Sequence, residues 1–353
     1  MNENFGKKLI QYEKFWNREP VSRPILNINT RKREFFKKPE SVEQKWLDEN
    51  FIVESALHEC QNREYIAEGM PFLFTNLGAG CLAACVGGNY KLDSDTVWYD
   101  RSPIIEEWEN MPEIKFDTQS EMWQHVERIQ KKAFAHSEFN TSITDLGGPL
   151  DILCALRGTE NLLYDLYDYP DEVKAMTRRI TKIWAEAFDL QKEAVKKADQ
   201  PYNNWMNVPS LKPWYPLQCD FAYMLSPALF EEFVLSSIIE QVEHLERSIY
   251  HLDGVNQIPH LDMLLEIEGL TGIQWVPGAG QLPKWDEKWI PLYQRVQAKN
   301  KVLVLNGGFP VNDLKAAEKL IKSLDPRGVY FSFTAPDRDT AERLLECVEK
   351  WSK

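Results

Sequence analysis

The sequence predicts an α/β protein built as a single (β/α)8 barrel over residues 1–353, with an N-terminal helical extension over residues 1–20. Eight short apolar segments recur along the chain, mostly separated by stretches of helical periodicity, and several of them end on glycine. No change in composition marks a linker. Alternating strands and helices imply a parallel sheet, and eight such units indicate a barrel. A doubly wound open sheet is the alternative, disfavoured because no glycine-rich phosphate-binding turn follows the first segment.

The elements follow from these patterns in chain order. Strands are expected at 24–28, 72–78, 141–149, 202–208, 248–254, 272–278, 301–308 and 328–335. Helices are expected at 41–61, 121–137, 150–197 with a break near 169–171, 228–246, 261–269, 285–300, 311–324 and 340–351. In the N-terminal extension, helical spacing relates Phe5, Leu9, Tyr12 and Phe15. Ser41 is the expected N-cap of its helix.

The bulk composition excludes two classes of partner. The chain carries 54 acidic and 41 basic residues, a formal net charge of -13, which argues against binding to nucleic acid or to an anionic membrane. The first residues are polar, and no apolar run reaches the roughly 18 residues of a membrane span, so a soluble, cytoplasmic protein is expected. The six cysteines are scattered, a spacing typical of reduced thiols.

The segment 248–254 carries the first chemical signal. In a strand, His251 and Asp253 point to one face while Leu252 points to the other. An imidazole beside a carboxylate at the end of an apolar strand can bind a metal or transfer a proton. A structural His–Asp hydrogen bond that closes the strand end is the alternative interpretation.

The ends of the other strands extend this signal, because the active site of such a barrel lies at the carboxyl ends of its strands. These ends are rich in amide, carboxylate and aromatic side chains and poor in lysine and arginine, which suits a neutral or cationic small molecule. The predicted catalytic residues are His251, Asp253 and Gln274, with His251 and Asp253 also as metal ligands. The predicted substrate-binding residues are Asn76, Asp145, Trp205, Asp220, Tyr223 and Trp275.

Four motifs resemble the uroporphyrinogen decarboxylase superfamily, which also includes corrinoid-linked methyltransferases. They are Asp145-Leu146-Gly147-Gly148-Pro149, the helix start Tyr169-Pro170-Asp171-Glu172-Val173, the run 220–233 with Ser226-Pro227 and Phe230, and His251-Leu252-Asp253-Gly254. The resemblance covers the chain from the second strand to the end. It implies a (β/α)8 barrel and, from the decarboxylase, a homodimer.

The resemblance implies methyl transfer more than porphyrinogen decarboxylation. The decarboxylase has an acid on the second strand and a tyrosine after the Gly-Pro turn, where this chain has Thr75-Asn76 and Ala155. Zinc-binding methyltransferases of the superfamily use a His-x-Cys pair, a carboxylate on the next strand and a late cysteine. The matching positions here are His251, Asp253, Gln274 and about Ser332.

Three functions remain open from the sequence. The first is methyl transfer from a small methylated substrate to a corrinoid on a partner protein, with zinc or another divalent metal at His251 and Asp253. The second is a lyase that decarboxylates a small acid or a porphyrinogen, in which Asp253 or Asp220 stabilises the intermediate and His251 donates a proton. The third is a catalytically silent barrel that binds a small ligand or a partner protein. Cys219 is either a site thiol or a buried structural cysteine.

Overall fold

The computed structural model describes residues 3–31, 34–99 and 103–352. Within them the α/β class is confirmed. The strands are β1 Ile25–Thr30, β2 Tyr65–Ala67, β3 Phe72–Leu73, β4 Lys91–Leu92, β5 Val97–Trp98, β6 Asn140–Thr141, β7 Trp214–Leu217, β8 Arg247–Asp253, β9 Gly272–Val276, β10 Val302–Asn306 and β11 Val329–Ala335.

The helices alternate with these strands along most of the chain. They are α1 Glu3–Trp16, α2 Val42–Leu47, α3 Glu49–Asn62, α4 Leu82–Cys85, α5 Glu121–Ala133, α6 Pro149–Arg157, α7 Thr159–Asp168, α8 Pro170–Lys197, α9 Pro227–Phe233, α10 Leu235–His244, α11 Leu261–Leu265, α12 Ile290–Ala298, α13 Leu314–Lys322 and α14 Arg338–Trp351. Short 3-10 turns lie at Trp108–Asn110, Asp220–Met224, Val255–His260 and Glu287–Trp289.

Seven strands form one sheet in the order β2-β1-β11-β10-β9-β8-β7. Every neighbouring pair in it is parallel except β1 with β2. The strands β3 and β6 form a separate parallel pair, and β4 and β5 an antiparallel one. Within the described ranges the main ladder ends at β2 and β7, so the sheet is open and the predicted closed barrel is not confirmed.

The strand predicted at 202–208 is wrong. This segment makes a single isolated bridge, and Asn207 has a left-handed backbone with φ of 53°. The side chains of Asn203 and Asn204 accept hydrogen bonds from backbone amides one and two residues ahead, which favours a turn over a ladder. The strand lies instead at β7, where a loop was expected. Its Pro216 is tolerated because β7 is at the edge of the sheet.

Other predicted elements exist but are shorter. The strands expected at 72–78 and 141–149 keep only two ladder residues each. The helix expected at 41–61 is two helices, because the Asp48 carboxylate accepts from the amides of Asn50 and Phe51 and starts α3. The N-cap role of Ser41 is confirmed, since its hydroxyl accepts from the amide of Gln44 at 3.1 Å.

The N-terminal helix is also confirmed, and it packs on the sheet. Its Tyr12, Phe15 and Trp16 are buried together with Trp214, Ile249, Val304 and Tyr330 from four strands. This cluster closes the end of the sheet at which β8 begins. The polar residues lie toward the opposite end, where β8 to β11 end.

Two findings bear on the bulk predictions. In the described part of the chain, no helix is both long enough and apolar enough to span a bilayer. Within the described residues, none of the six cysteines forms a disulfide.

Candidate active site and metal centre

The predicted catalytic residues meet at the carboxyl edge of the sheet. His251 and Asp253 lie on β8, and Gln274 on β9 is the register partner of His251. Asn306, the last residue of β10, completes the row because its side chain bonds to Gln274. The alternation of side chains along parallel strands places these four groups on one face.

A chain of hydrogen bonds fixes the His251 ring. Asn306 Nδ2 donates to the backbone oxygen of Met206 at 2.6 Å, and Asn306 Oδ1 accepts from Gln274 Nε2 at 3.1 Å. Gln274 therefore turns its Oε1 toward Nδ1 of His251. Because a carbonyl oxygen only accepts, Nδ1 carries the proton. In the neutral ring, Nε2 is then the free nitrogen, and it faces Asp253 Oδ2 at 3.7 Å.

Asp220 joins this pair to form the Asp–His–Asp cluster, defined as Asp220, His251 and Asp253. One ligand atom from each lies within 4.8 Å of the others. One imidazole nitrogen and two carboxylate oxygens are a donor set that suits zinc or another divalent cation. Asp220, which was predicted to bind substrate, thus lies beside the two predicted metal ligands His251 and Asp253.

The position of Asp220 is set by the turn that follows β7. Asp151, in the first turn of α6, accepts from the amides of Asp220 at 3.0 Å and Phe221 at 2.8 Å. The backbone at Gly148 runs so close to this turn that a Cβ there would lie 2.1 Å from the Gln218 carbonyl oxygen. The Gly-Gly-Pro motif thus brings α6 against the turn that carries the cluster's third carboxylate.

Asp145, another predicted binding residue, is buried behind the cluster. Its Oδ1 accepts from the Gly147 amide at 2.9 Å and from the Tyr215 hydroxyl at 3.2 Å. Burial raises the pKa of Asp145 to about 6, and the charge of Asp220 adds to this rise. Burial, followed by the same Asp220 charge, raises the pKa of Asp151 to about 7.

The electrostatics of the cluster follow from this crowding of acids. Asp220 is exposed to solvent on one side but otherwise surrounded by protein. Desolvation raises the pKa of Asp220, the charge of His251 lowers it, and the charge of Asp253 raises it further. Burial disfavours the His251 imidazolium, but the Asp253 contact and the charge of Asp220 outweigh it and raise the His251 pKa. The contact with His251 lowers the pKa of Asp253. A site with this excess of carboxylates attracts cations.

Lys284 is a functional candidate that the sequence did not indicate. Its ammonium donates to the backbone oxygen of Asn306 at 2.6 Å, at the end of β10. Burial lowers the pKa of Lys284 to about 8, while the charge of Asp253 opposes that effect. Near neutral pH it is therefore a cation that can readily give up a proton.

Of the predicted aromatic residues, Trp205 contacts the cluster and Tyr223 lies over the neighbouring Gly254. The Trp205 ring meets the His251 ring edge-on, with centroids 5.0 Å apart and planes at 83°. Tyr223 lies over Gly254, where a Cβ would come 2.7 Å from its ring, and about half of Tyr223 is exposed. Gly254 has a φ of 92°, so both its conformation and its space favour glycine.

The other two predicted binding residues lie elsewhere. Trp275 follows Gln274 on β9, so its side chain lies on the opposite face of the strand. It is fully buried there, and its ring centroid lies 5.1 Å from that of Trp289. Its predicted substrate contact is therefore corrected to core packing. Asn76 lines a different cavity beside Trp46 and bonds to the amide of Gly78 at 3.0 Å.

Cys219, predicted as either a site thiol or a buried structural cysteine, lies in the interior. The thiol is buried, and burial raises its pKa well above the usual range. Cys219 packs in the main hydrophobic core, directly before the turn that carries Asp220.

The sequence did not indicate Lys284 and Asp151 as members of the site. Lys284 lies in a loop of proline and glycine, and Asp151 lies inside a helix. No spacing pattern links either residue to the strand ends.

The chain is similar to known proteins in its three-dimensional structure. No protein-family model matches the chain, and no curated protein does. Among solved structures, the chain is similar to a methyltransferase from Methanosarcina mazei, with a TM-score of 0.61 and 14% sequence identity, covering 99% of both chains. At this identity the similarity establishes a common fold. The chain thus shares, over nearly all its residues, the fold of a solved methyltransferase.

Proposed function

We propose that the protein is an enzyme that moves a methyl group from a small methylated substrate to a corrinoid held by a partner protein. The observation that carries the proposal is the Asp–His–Asp cluster at the carboxyl edge of a mostly parallel sheet. The fold shared with a solved methyltransferase supports the same assignment. The polar edge with its aromatic neighbours Trp205 and Tyr223 suits a small methylated compound.

The cluster fits a divalent cation. His251 offers Nε2 because Gln274 occupies Nδ1, and Asp220 and Asp253 offer carboxylate oxygens. The surrounding excess of acids compensates a double positive charge. When bound there, zinc or another divalent metal would supply Lewis-acid polarisation of the heteroatom that carries the methyl group.

The chain's own residues supply orientation and a proton. Trp205 and Tyr223 confine the methylated group beside His251, and Asn306 with Gln274 holds the imidazole. In the transfer, the carbon–heteroatom bond breaks and a carbon–cobalt bond forms with the electron pair of the reduced cobalt. The heteroatom keeps the pair of the broken bond and takes a proton, for which Lys284 is the donor we assign.

The test uses free cob(I)alamin as methyl acceptor and a panel of methylated amines, methoxyaromatics and thioethers, with methylcobalamin formation followed by absorbance. With an active donor, His251→Ala is expected to reduce the rate more than about 100-fold, because outer-shell losses alone cost 10–100-fold. The matched control is His125→Ala, since His125 also faces one carboxylate, Glu121, at 3.9 Å. Unchanged turnover in His251→Ala would remove the cluster from the mechanism.

A second candidate is decarboxylation of a small acid, which Lys284 favours. Such a reaction needs a cation to hold the substrate carboxylate, and Lys284 is a cation near the cluster. Asp220 or Asp253 would stabilise the intermediate and His251 would return the proton. Release of carbon dioxide from a panel of acids, lost in Lys284→Gln and retained in Lys284→Arg, would favour this reaction over methyl transfer.

The proposal includes an architecture. We place the cluster in a single-domain (β/α)8-type enzyme that works as a cytoplasmic homodimer. The β3–β6 pair supports a closed barrel, because the amide of Ile143, just after β6, donates to the backbone oxygen of Asn203 at 3.0 Å, and Asn203 precedes β7 in the chain. Light scattering of the purified protein tests the dimer.

A further inference from the structure

A second concave site lies on the segment that leaves the sheet after β1. The cavity has a volume of about 720 Å³ and is formed mainly by residues 35–46, α3 and the chain after β3. We call it the lysine groove. Its lining includes three lysines, Lys37, Lys38 and Lys45, and the aromatic residues Phe36, Trp46 and Phe51.

The floor of the lysine groove is apolar and fixed. Phe36 packs on Phe51 with ring centroids 5.4 Å apart. The Trp46 indole is held by a hydrogen bond to the Asp93 carbonyl oxygen at 2.7 Å. Phe35 also lines the groove and, among the residues that the structure describes, it is 82% exposed, which is unusual for a phenylalanine.

The rim of the groove is positively charged in an otherwise acidic chain. Lys37, Lys38 and Lys45 line it, and none of its described lining residues is an aspartate or a glutamate. The Lys45 ammonium lies 4.4 Å from the Trp46 ring centroid and donates to the Ser94 carbonyl oxygen. The Lys37 ammonium lies 5.6 Å from the Phe36 ring centroid. Cations placed above an aromatic floor complement a ligand with a hydrocarbon body and an anionic head.

We propose that the lysine groove binds a small amphipathic carboxylate. Its aromatic or aliphatic body would lie on Phe36, Trp46 and Phe51, and its carboxylate would pair with Lys37, Lys38 and Lys45. The volume falls within the range of small-molecule sites, about 300–1,000 Å³. The proposal concerns residues outside the Asp–His–Asp cluster and does not depend on methyl transfer.

The test is calorimetric titration of the full chain with 4-phenylbutyrate and with its neutral amide, which has the same ring and chain length. The acid is expected to bind at least about tenfold more tightly than the amide. The triple variant Lys37→Gln, Lys38→Gln, Lys45→Gln should remove that preference. The control triple variant Lys131→Gln, Lys315→Gln, Lys350→Gln changes three exposed lysines elsewhere and should retain it.

The outcomes separate this groove from the cluster. Loss of the preference in the groove variant, with the control unchanged, supports the assignment. Equal binding of acid and amide overturns it, as does an acid preference that survives in the groove variant, because the carboxylate is then held elsewhere, for example by Lys284. Absence of heat up to about 5 mM of the acid also overturns it.

Discussion

At the scale of single residues, the site depends on the orientation of one imidazole. The chain from the Met206 carbonyl through Asn306 and Gln274 leaves Nε2 of His251 free to face Asp220 and Asp253. Outer-shell hydrogen bonds of this kind fix the tautomer and ring orientation of metal-binding histidines. Asn306 is therefore a positioning residue, which touches neither a cation nor a substrate.

The tautomer can be observed directly. In protein labelled with 15N in histidine, freed of metal and titrated above the His251 pKa, we expect a protonated Nδ1 and an unprotonated Nε2. In Asn306→Leu, Gln274 is free to rotate, so we expect a mixture of tautomers and about tenfold weaker zinc binding. A wild-type ring protonated on Nε2 would contradict the hydrogen-bond assignment.

Asp145 gives a prediction about pH. Its pKa is raised in the folded protein from an ordinary value of 3.8 to about 6, so the unfolded chain ionises first as the pH rises. Asp145 therefore contributes most to the free energy of unfolding below about pH 4, and this contribution is lost as the pH rises through about 6. The free energy of unfolding falls by about 3 kcal/mol across this range.

The variant Asp145→Asn mimics the protonated acid, because its oxygen can still accept from Gly147 and Tyr215. We expect urea denaturation in the presence of a chelator to show a smaller fall in stability between about pH 4 and pH 7 than in the wild type. Asp339→Asn, at an exposed aspartate, is the control. Parallel curves for Asp145→Asn and wild type would show that Asp145 does not titrate in this range.

At the scale of elements, the site depends on two segments that approach closely. The turn before α6 lies in close contact with the chain just before Asp220. Asp151 accepts hydrogen bonds from two backbone amides of the Asp220–Met224 turn. This contact transmits the position of α6 to the cluster. It gives the Gly-Gly-Pro motif a role in geometry, because only a residue without Cβ fits at Gly148.

Substitution of that glycine should therefore affect both stability and the site. In Gly148→Ala the new Cβ meets the Gln218 carbonyl oxygen, and we expect a loss of roughly 1–3 kcal/mol in the free energy of unfolding together with weaker zinc binding. The control is Gly6→Ala in α1, where a Cβ meets nothing within 4 Å. That change should stabilise the helix slightly, by about 0.5–1 kcal/mol. Normal stability in Gly148→Ala would refute the close approach.

At the scale of the whole molecule, the two ends of the sheet have separate tasks. Arg247 begins β8 and binds Glu13 of α1 through two hydrogen bonds of 2.8 and 2.7 Å, and it also lies 5.2 Å from the Trp16 ring centroid. His251 and Asp253 lie at the other end of the same strand. Stability and chemistry should therefore be separable by mutation.

Removal of the Arg247 side chain leaves Glu13 partly buried without its partner. We expect Arg247→Ala to lower the free energy of unfolding by about 3–5 kcal/mol. Arg338, which forms an exposed ion pair with Glu64, provides the control. Arg338→Ala should lower the free energy of unfolding by about 1 kcal/mol or less. In the absence of denaturant, zinc binding to Arg247→Ala should remain close to that of the wild type. A loss of zinc binding without a loss of stability would contradict this separation.

The sequence predicted the class and the elements with the clearest periodicity. The strands β8 to β11 were located to within a few residues, because apolar runs ending on polar or glycine residues mark them well. The helix α1 was located by the helical spacing of its apolar residues. The segment 202–208 failed because asparagine side chains bond locally and compete with a ladder. Whether a ladder closes depends on long-range pairing, which no local pattern records.

The site was predictable where it lies on strands. Alternation indicated His251 and Asp253, and the next strand indicated Gln274. The same alternation places Trp275, which the prediction had included, on the opposite face. Asp220 was predicted from the sequence and lies beside His251 and Asp253. Lys284 could not be found, because its approach to Asn306 depends on the path of a loop and not on a spacing.

The metal content of the purified protein shows whether Asp220, His251 and Asp253 bind a divalent cation. Wild type, His251→Ala and His125→Ala would be purified without chelator or affinity metal and measured by plasma mass spectrometry. We expect about one equivalent of zinc or another divalent transition metal in wild type and His125→Ala, and little in His251→Ala. Absence of metal from the wild type, or an equal content in His251→Ala, would contradict it.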